Sequence, residues 1–298
     1  MKKTIAIVSP GDMGHGVGAR LRERGLRVLY CPAGRSKRTC SLAEEAGLEA
    51  VPSYNDLVSQ ADIVLSIVVP AAAKSAAEEI ARALQATSIN LLYADCNAIA
   101  PQTAREVQHI ITSAGSPFVD ASIIGGPPRG DYTPRIYVAG DVNKELAFLN
   151  EYGLNMIHFS DRIGDASALK MCFASMTKGS TALYLTLMTG ARALGVYDTL
   201  MEEFSQSQPS RIQSLQRLPG VMTKARRFVG EMEEMDRTYS SVGIDPNMLK
   251  GAAEIYRLLG NTSLADRVPE DTSPLPSLEE TLDTILSFMG KKNTGIIE

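Results

Sequence analysis

Residues 9–14 read SPGDMG and stand between a short apolar run and a segment with apolar residues at helical spacing. Glycines at such a strand-to-helix turn let the chain bend tightly and let a pyrophosphate approach the backbone. The start of the helix offers unpaired N–H groups to its charge. Gly11 and Gly14 hold the second and third places of the G-x-G-x-x-G pattern, and Ser9 holds the first. Ser9, Gly11, Asp12, Met13 and Gly14 are therefore the candidate contacts to a dinucleotide. His15, directly after them, reads as an exposed loop histidine.

Choice between dinucleotides is made about 20 residues further on, where an acidic side chain would hold the ribose 2′-hydroxyl of NAD. The stretch from Tyr30 is YCPAGRSKRT and contains no acid. Arg35, Ser36, Lys37 and Arg38 stand there instead, three cations and a hydroxyl suited to a 2′-phosphate. NADP is the expected cofactor.

These residues need a scaffold, and the first half of the chain supplies one by alternation. Strand-like runs at 4–8, 26–30, 62–69, 89–94 and 117–120 alternate with helical patterns near 13–24, 38–46, 72–86 and 101–114. Such alternation implies right-handed crossovers and a doubly wound, mostly parallel sheet covered on both faces, an α/β Rossmann-type domain over residues 1–160. The loop GGPPRGDYTP separates it from two more strand candidates at 135–139 and 155–159.

After Asp161 the pattern turns helical, which predicts an all-α domain over 161–298. No proline interrupts 165–196, where apolar residues occur nearly all round. A helix of about 30 residues spans roughly 45 Å. Its charge-free part between Lys178 and Arg192 has 13 residues, short of a membrane span, so burial within protein is expected. A two-fold partner is expected to cover part of it, making a homodimer. Ala225, Phe228, Val229, Met232, Met235 and Tyr239 form an apolar helical stripe, and Glu231, Glu233 and Glu234 beside it read as solvated. A loop at 261–277 should precede a last helix at 278–289, with a disordered tail from Lys291.

The 298 residues are enough for two domains, and a net charge of −4 excludes broad attraction to nucleic acid or anionic lipid. Cys31, Cys40, Cys96 and Cys172 show no CxxC spacing and read as reduced thiols; Cys96 and Cys172 are expected to be small buried hydrophobes. His15, His109 and His158 lie far apart, so no metal site is expected. The first apolar run is too short for a secretion signal, and a cytoplasmic protein with a small-molecule substrate is expected.

SPGDMG, together with DCNAIAP from Asp95, DASIIGG from Asp120 and GDASALKMCFASMTKG from Gly164, resembles the 6-phosphogluconate dehydrogenase-like superfamily, which includes the β-hydroxyacid dehydrogenases. The resemblance covers nearly the whole chain. The LKM and TKG elements followed by GEMEE are similar to a branch with a distinct helical second domain. The resemblance implies a Rossmann domain, a long interdomain helix, a helical second domain and dimers.

It also implies that Lys170 gives a proton to a carbonyl oxygen as hydride arrives from NADPH, or takes a hydroxyl proton in reverse. A lysine near the start of an apolar helix can be desolvated, which lowers its pKa toward that task. Val69 and Asn97, near the ends of strand runs, are placed with the cofactor contacts, and Ile124, Gly125 and Gly126 with the substrate. Two departures stand out. Ala174 replaces the family's asparagine one turn after the lysine, and Ile124 replaces the serine before the paired glycines. Both changes are expected to make the pocket more apolar. Thr177 and Lys178, on the same helical face as Lys170 and Ala174, are candidate replacement anchors. The expected function is hydride transfer between NADP(H) and a small hydroxy acid or carbonyl compound. The alternatives are an imine or bulky-ketone reductase, or a non-catalytic NADP-binding sensor.

Overall fold

A computed structural model describes residues 3–245, 247–268 and 271–293. The chain divides into two compact units, Met1–Cys172 and Phe173–Glu298.

The first unit is built on one sheet. Strands β1 (Thr4–Ile7), β2 (Arg27–Tyr30), β3 (Glu49–Ala50), β4 (Ile63–Ser66), β5 (Leu92–Asp95) and β6 (Phe118–Ile124) are mutually parallel. Strand β7 (Arg135–Ala139) runs antiparallel to β6, and β8 (Asn155–Ser160) runs parallel to β7. The order is β3-β2-β1-β4-β5-β6-β7-β8. The winding direction reverses between β1 and β4, which opens a crevice at the carboxyl ends of those strands.

Side-chain alternation along β1 shows why both faces are covered. Ile5 and Ile7 pack with Val17 and Leu21 of α1 (Gly14–Glu23) and Ala43 of α2 (Lys37–Glu45). Ala6 and Val8 face the opposite layer. Leu57 of α3 (Tyr54–Gln60), Ile80 and Leu84 of α4 (Ala73–Thr87), and Val107 and Ile111 of α5 (Pro101–Ser113) complete that layer. Strands buried on two faces read as continuous apolar runs, which is why the runs mark them.

Three features differ from expectation. The edge strand β3 and the short helix α3 occupy a stretch to which the sequence assigned no element; Ser53 caps α3 by accepting from the Asp56 N–H at 3.1 Å. Strand β6 continues past residue 120 to Ile124 because Ala121–Ile124 pair with β7, Ile124 standing opposite Arg135. The first unit also extends past residue 160. It takes in most of α6 (Asp165–Ala174), whose N-terminus is bonded to the sheet as described below.

The second unit is helical. After a π-helical turn at Ser175–Gly179 come α7 (Ser180–Ala193), α8 (Tyr197–Ser207), α9 (Pro209–Gln216), α10 (Ala225–Ser240), α11 (Asn247–Gly260) and α12 (Leu278–Asn293). Helices α10 and α11 pack together, with the Phe228 and Tyr256 rings edge to face at 5.3 Å. Met232, Met235, Leu259 and Leu282 fill this core, as the apolar stripe of α10 predicts. The expected uninterrupted helix over 165–196 is helical to Ala193, broken in phase by the π turn and ended at Gly195, whose φ is +73°. The last helix reaches Asn293, beyond the expected 289, and Thr294–Glu298 lie outside the described residues. Among the described residues no helix is long and apolar enough to cross a membrane.

Candidate active site

The glycine turn sits at the switch point, between the end of β1 and the start of α1. Gly11 donates its N–H to Ser9 O at 2.9 Å, and His15 N donates to Gly11 O at 2.9 Å. A Cβ on Gly14 would lie 2.3 Å from Ser9 O, so no side chain fits there. A Cβ on Gly11 would meet nothing within 4 Å: the space above the turn is open to an approaching pyrophosphate. Ser9 does not have positive φ, so its place in the pattern does not demand glycine. His15 is not in a loop. It lies in the first turn of α1 and its Nδ1 is 2.8 Å from Gly11 O.

After β2 the chain turns at Pro32–Arg35, with Arg35 N bonded to Pro32 O at 3.0 Å and Gly34 at φ +70°. A glycine is the residue such a turn requires at this place. Ser36 then caps α2, its hydroxyl accepting from Thr39 N at 3.1 Å. Arg35 Nη2 donates to the Tyr54 hydroxyl at 2.8 Å, while Arg38 is paired with Asp12 of the glycine turn. Lys37 is exposed. An open glycine turn at a helix N-terminus, flanked by two held arginines, fits a nicotinamide dinucleotide.

Val69 is exposed at the carboxyl end of β4. Asn97, after β5, is only 2% exposed, and its side chain braces the strand ends rather than reaching outward. Its Oδ1 accepts from Val68 N at 2.6 Å. Its two amide hydrogens go to Asp95 Oδ2 at 2.9 Å and Ser66 Oγ at 3.2 Å. The direct contact expected of Asn97 is thus replaced by a supporting one, which places the segment before Val69. Burial pushes the Asp95 carboxyl up to about 7, against its hydrogen bonds from Asn97 and with the help of the Asp120 charge. Cys96, buried beside them, is raised by the same desolvation.

Asp120 has a structural role that the sequence did not assign. It lies on β6 in register with Asp95 and is 1% exposed. Its carboxylate accepts from Gly164 N at 2.9 Å, Ser167 N at 3.1 Å and Ser167 Oγ at 2.7 Å, so it caps α6 from the sheet. Burial raises its pKa, opposed by these bonds. One turn along α6, Lys170 Nζ donates to Ile123 O at 2.6 Å, near the carboxyl end of the same strand. The signal in sequence was an acid inside an apolar strand run, with the small residues Gly164 and Ser167 before the lysine.

Gly125, with φ +134°, leads into the loop that follows β6, and a Cβ there would lie 2.2 Å from the Tyr132 hydroxyl. Gly126 is exposed. Arg20 of α1 holds this loop, donating to Gly130 O at 2.6 Å and Thr133 Oγ1 at 2.7 Å. Ile124 is only 6% exposed and Ala174 only 1%. Both side chains are largely buried.

In the second unit the π turn carries an extra residue, which moves Thr177 and Lys178 off the helical phase assumed for them. Thr177 Oγ1 donates to Ala174 O at 3.2 Å. Lys178 pairs with Glu231, lies over the Phe228 ring at 4.8 Å, and its carbonyl accepts from the Tyr256 hydroxyl at 2.7 Å. Burial lowers the Lys178 pKa against the pull of Glu231. Lys178 is therefore committed inside its own unit rather than standing as a substrate anchor. Glu231 is buried rather than solvated, and Cys172 is exposed rather than buried.

Ser9–Gly14, the Arg35 turn, Val69, Asn97 and Ile123–Gly126 all follow or end parallel strands of one sheet at their carboxyl ends, and Lys170 is bonded there. This is the arrangement of a dinucleotide-binding α/β unit with an amine set beside the cofactor crevice. Comparison with known proteins agrees. Residues 4–151 match the NAD binding domain of 6-phosphogluconate dehydrogenase, and residues 191–259 match a domain of unknown function, DUF1932. The solved structure of MTH1747, a conserved protein of unknown function similar to 3-hydroxyacid dehydrogenases, is 32% identical; the match covers 86% of this chain and 96% of that one, with a TM-score of 0.64. An uncharacterized 28.5 kDa protein of Methanothermus fervidus is 27% identical over 78% of this chain and 89% of its own. Mycobacterium tuberculosis 3-hydroxyisobutyrate dehydrogenase shares the fold at 20% identity, over 96% of this chain and 99% of that one, with a TM-score of 0.67. The chain belongs to the 6-phosphogluconate dehydrogenase-like superfamily and is a nicotinamide-dependent oxidoreductase of that family.

Proposed function

We propose that the protein transfers hydride between NADP(H) and a small hydroxy acid or its carbonyl counterpart, with Lys170 as general acid and base. The observation that carries this reading is the 2.6 Å bond from Lys170 Nζ to Ile123 O. It holds the amine at the sheet edge that also bears the glycine turn. Bound NADP(H) supplies or accepts the hydride, and the protein must handle the proton. Lys170 has three ammonium hydrogens, of which one is held by the Ile123 carbonyl. After giving a proton to a substrate oxygen, the neutral amine still has an N–H for the same carbonyl. The nitrogen therefore stays in place while its proton moves, as general acid catalysis requires. The cationic turn at Arg35 supports NADP over NAD. A panel of small carbonyl compounds and hydroxy acids, followed by NADPH absorbance, tests the reaction class; a carbonyl compound is expected to consume NADPH. Tight NADPH binding with no turnover across the panel would favour a sensor instead.

A homodimer is part of this proposal. Met176 and Leu183, 75% and 57% exposed on the helical segment that begins the second unit, present apolar surface of the kind a two-fold partner covers. Light scattering at micromolar concentration is expected to give twice the 32.1 kDa of one chain. A mass equal to one chain would refute the dimer.

A further inference from the structure

The two arginines after β2 look alike in sequence, yet their side chains have different partners. Arg38 pairs with the Asp12 carboxylate, which belongs to the glycine turn itself. That contact ties the first turn of α2 to the cofactor turn and offsets the arginine's charge. Arg35 has a neutral partner, the Tyr54 hydroxyl at 2.8 Å from Nη2, and no carboxylate among the described residues. Its Nε is enclosed by protein with no hydrogen-bond partner, so the donors left for a ligand are those of Nη1 and the second hydrogen of Nη2.

Each support is itself fixed. The Pro32–Arg35 turn sets the Arg35 backbone, and Tyr54 opens α3 directly after its Ser53 cap. A guanidinium bonded to a phenol is not ion-paired, and although the Glu79 and Asp56 charges reach the groups around it, its own hydrogen-bond partner adds no negative charge against an incoming dianion. One already paired with a carboxylate meets that dianion with the carboxylate's repulsion added.

On the reading that the chain binds NADP, we propose that Arg35, oriented by Tyr54, reads the 2′-phosphate, whereas Arg38 is a positioning residue that anchors α2 to the glycine turn through Asp12. Tyr54 thereby becomes a specificity determinant that touches no part of the cofactor.

Dissociation constants for NADPH and NADH, measured by calorimetry on the full chain without substrate, separate these roles. Arg35→Ala is expected to lower the preference for NADPH over NADH by about 10- to 100-fold, the range for loss of charge-assisted bonds to phosphate. Tyr54→Phe, which removes one hydroxyl, should lower the same ratio by about 3- to 10-fold. Arg38→Ala and Asp12→Asn should weaken both cofactors by similar factors, leaving the ratio within about twofold. Arg38→Lys, which keeps a cation for Asp12, should recover most of that loss. Loss of preference in Arg38→Ala but not in Arg35→Ala would overturn the proposal. So would an unchanged ratio in Tyr54→Phe. A wild-type protein that binds NADH as tightly as NADPH would refute the cofactor reading beneath it, a result distinct from either of those.

Discussion

Lys170→Met is expected to lower turnover by about 10²- to 10⁴-fold, the usual range for loss of a positioned acid or base, while NADPH affinity stays within about twofold. Methionine keeps an unbranched side chain of similar length at a half-buried position but has no proton to give. The carbonyl it leaves, Ile123 O, belongs to a strand held at that position by its pairing with β7, where Ile123 stands opposite Ile136, so the strand is expected to keep its place. Binding and chemistry should separate because the nucleotide turn follows β1, whereas the amine is held at β6. Lys170→Arg sharpens the test. Arginine retains charge and can still donate to Ile123 O, but it does not deprotonate in proteins. If proton transfer is the role, both variants are slow. If the arginine variant recovers most of the turnover, the lysine acts through charge alone; if the methionine variant stays within tenfold of wild type, Lys170 is not the acid.

The parts legible in the sequence were those set by local pattern. Strands buried on both faces produce continuous apolar runs, and the glycine turn lies between such a run and a helix, so β1, β2, β4, β5 and the Ser9–Gly14 turn could be read directly. The short elements could not. Helix α3 has seven residues and β3 has two, too few for a period to emerge. What remained hidden depends on partners distant in the chain. The last residues of β6 are strand because β7 pairs with them, and Lys178 is buried because Glu231, 53 residues on, accepts its charge. The π turn at Ser175–Gly179 inserts its extra residue without any mark in composition, so a face drawn at 3.6 residues per turn placed Thr177 and Lys178 wrongly. The burial of Ile124 and Ala174 was likewise hidden, because residue type alone does not show how much of a side chain its neighbours cover.

The same dependence on distant partners makes Asp120 the most consequential residue that the sequence did not assign. Asp120→Ala removes the acceptor for Gly164 N, Ser167 N and Ser167 Oγ at a site closed to water. A buried donor left without a partner costs about 1–3 kcal/mol, and part of that loss is recovered because a buried carboxylate no longer has to be desolvated. A net destabilisation of roughly 2–4 kcal/mol is expected by denaturant melts, with Ser167→Ala losing about 1 kcal/mol. Asp120→Asn keeps one acceptor oxygen and should fall between them. It also carries a pH signature. The folded pKa of Asp120 is raised, so its contribution to stability is fully present below the unfolded pKa and is lost as pH rises through the folded one. Asp95, raised to about 7 partly by the Asp120 charge, follows the same sign. Asparagine at 120 removes the first titration and relieves the second, so stability should depend less on pH between about 4 and 7 than in the wild type. The deficit of the asparagine variant should accordingly shrink toward neutral pH. Parallel stability curves for the two proteins across that range, or an alanine variant within about 0.5 kcal/mol of wild type, would show that α6 is held at its N-terminus by something other than this carboxylate.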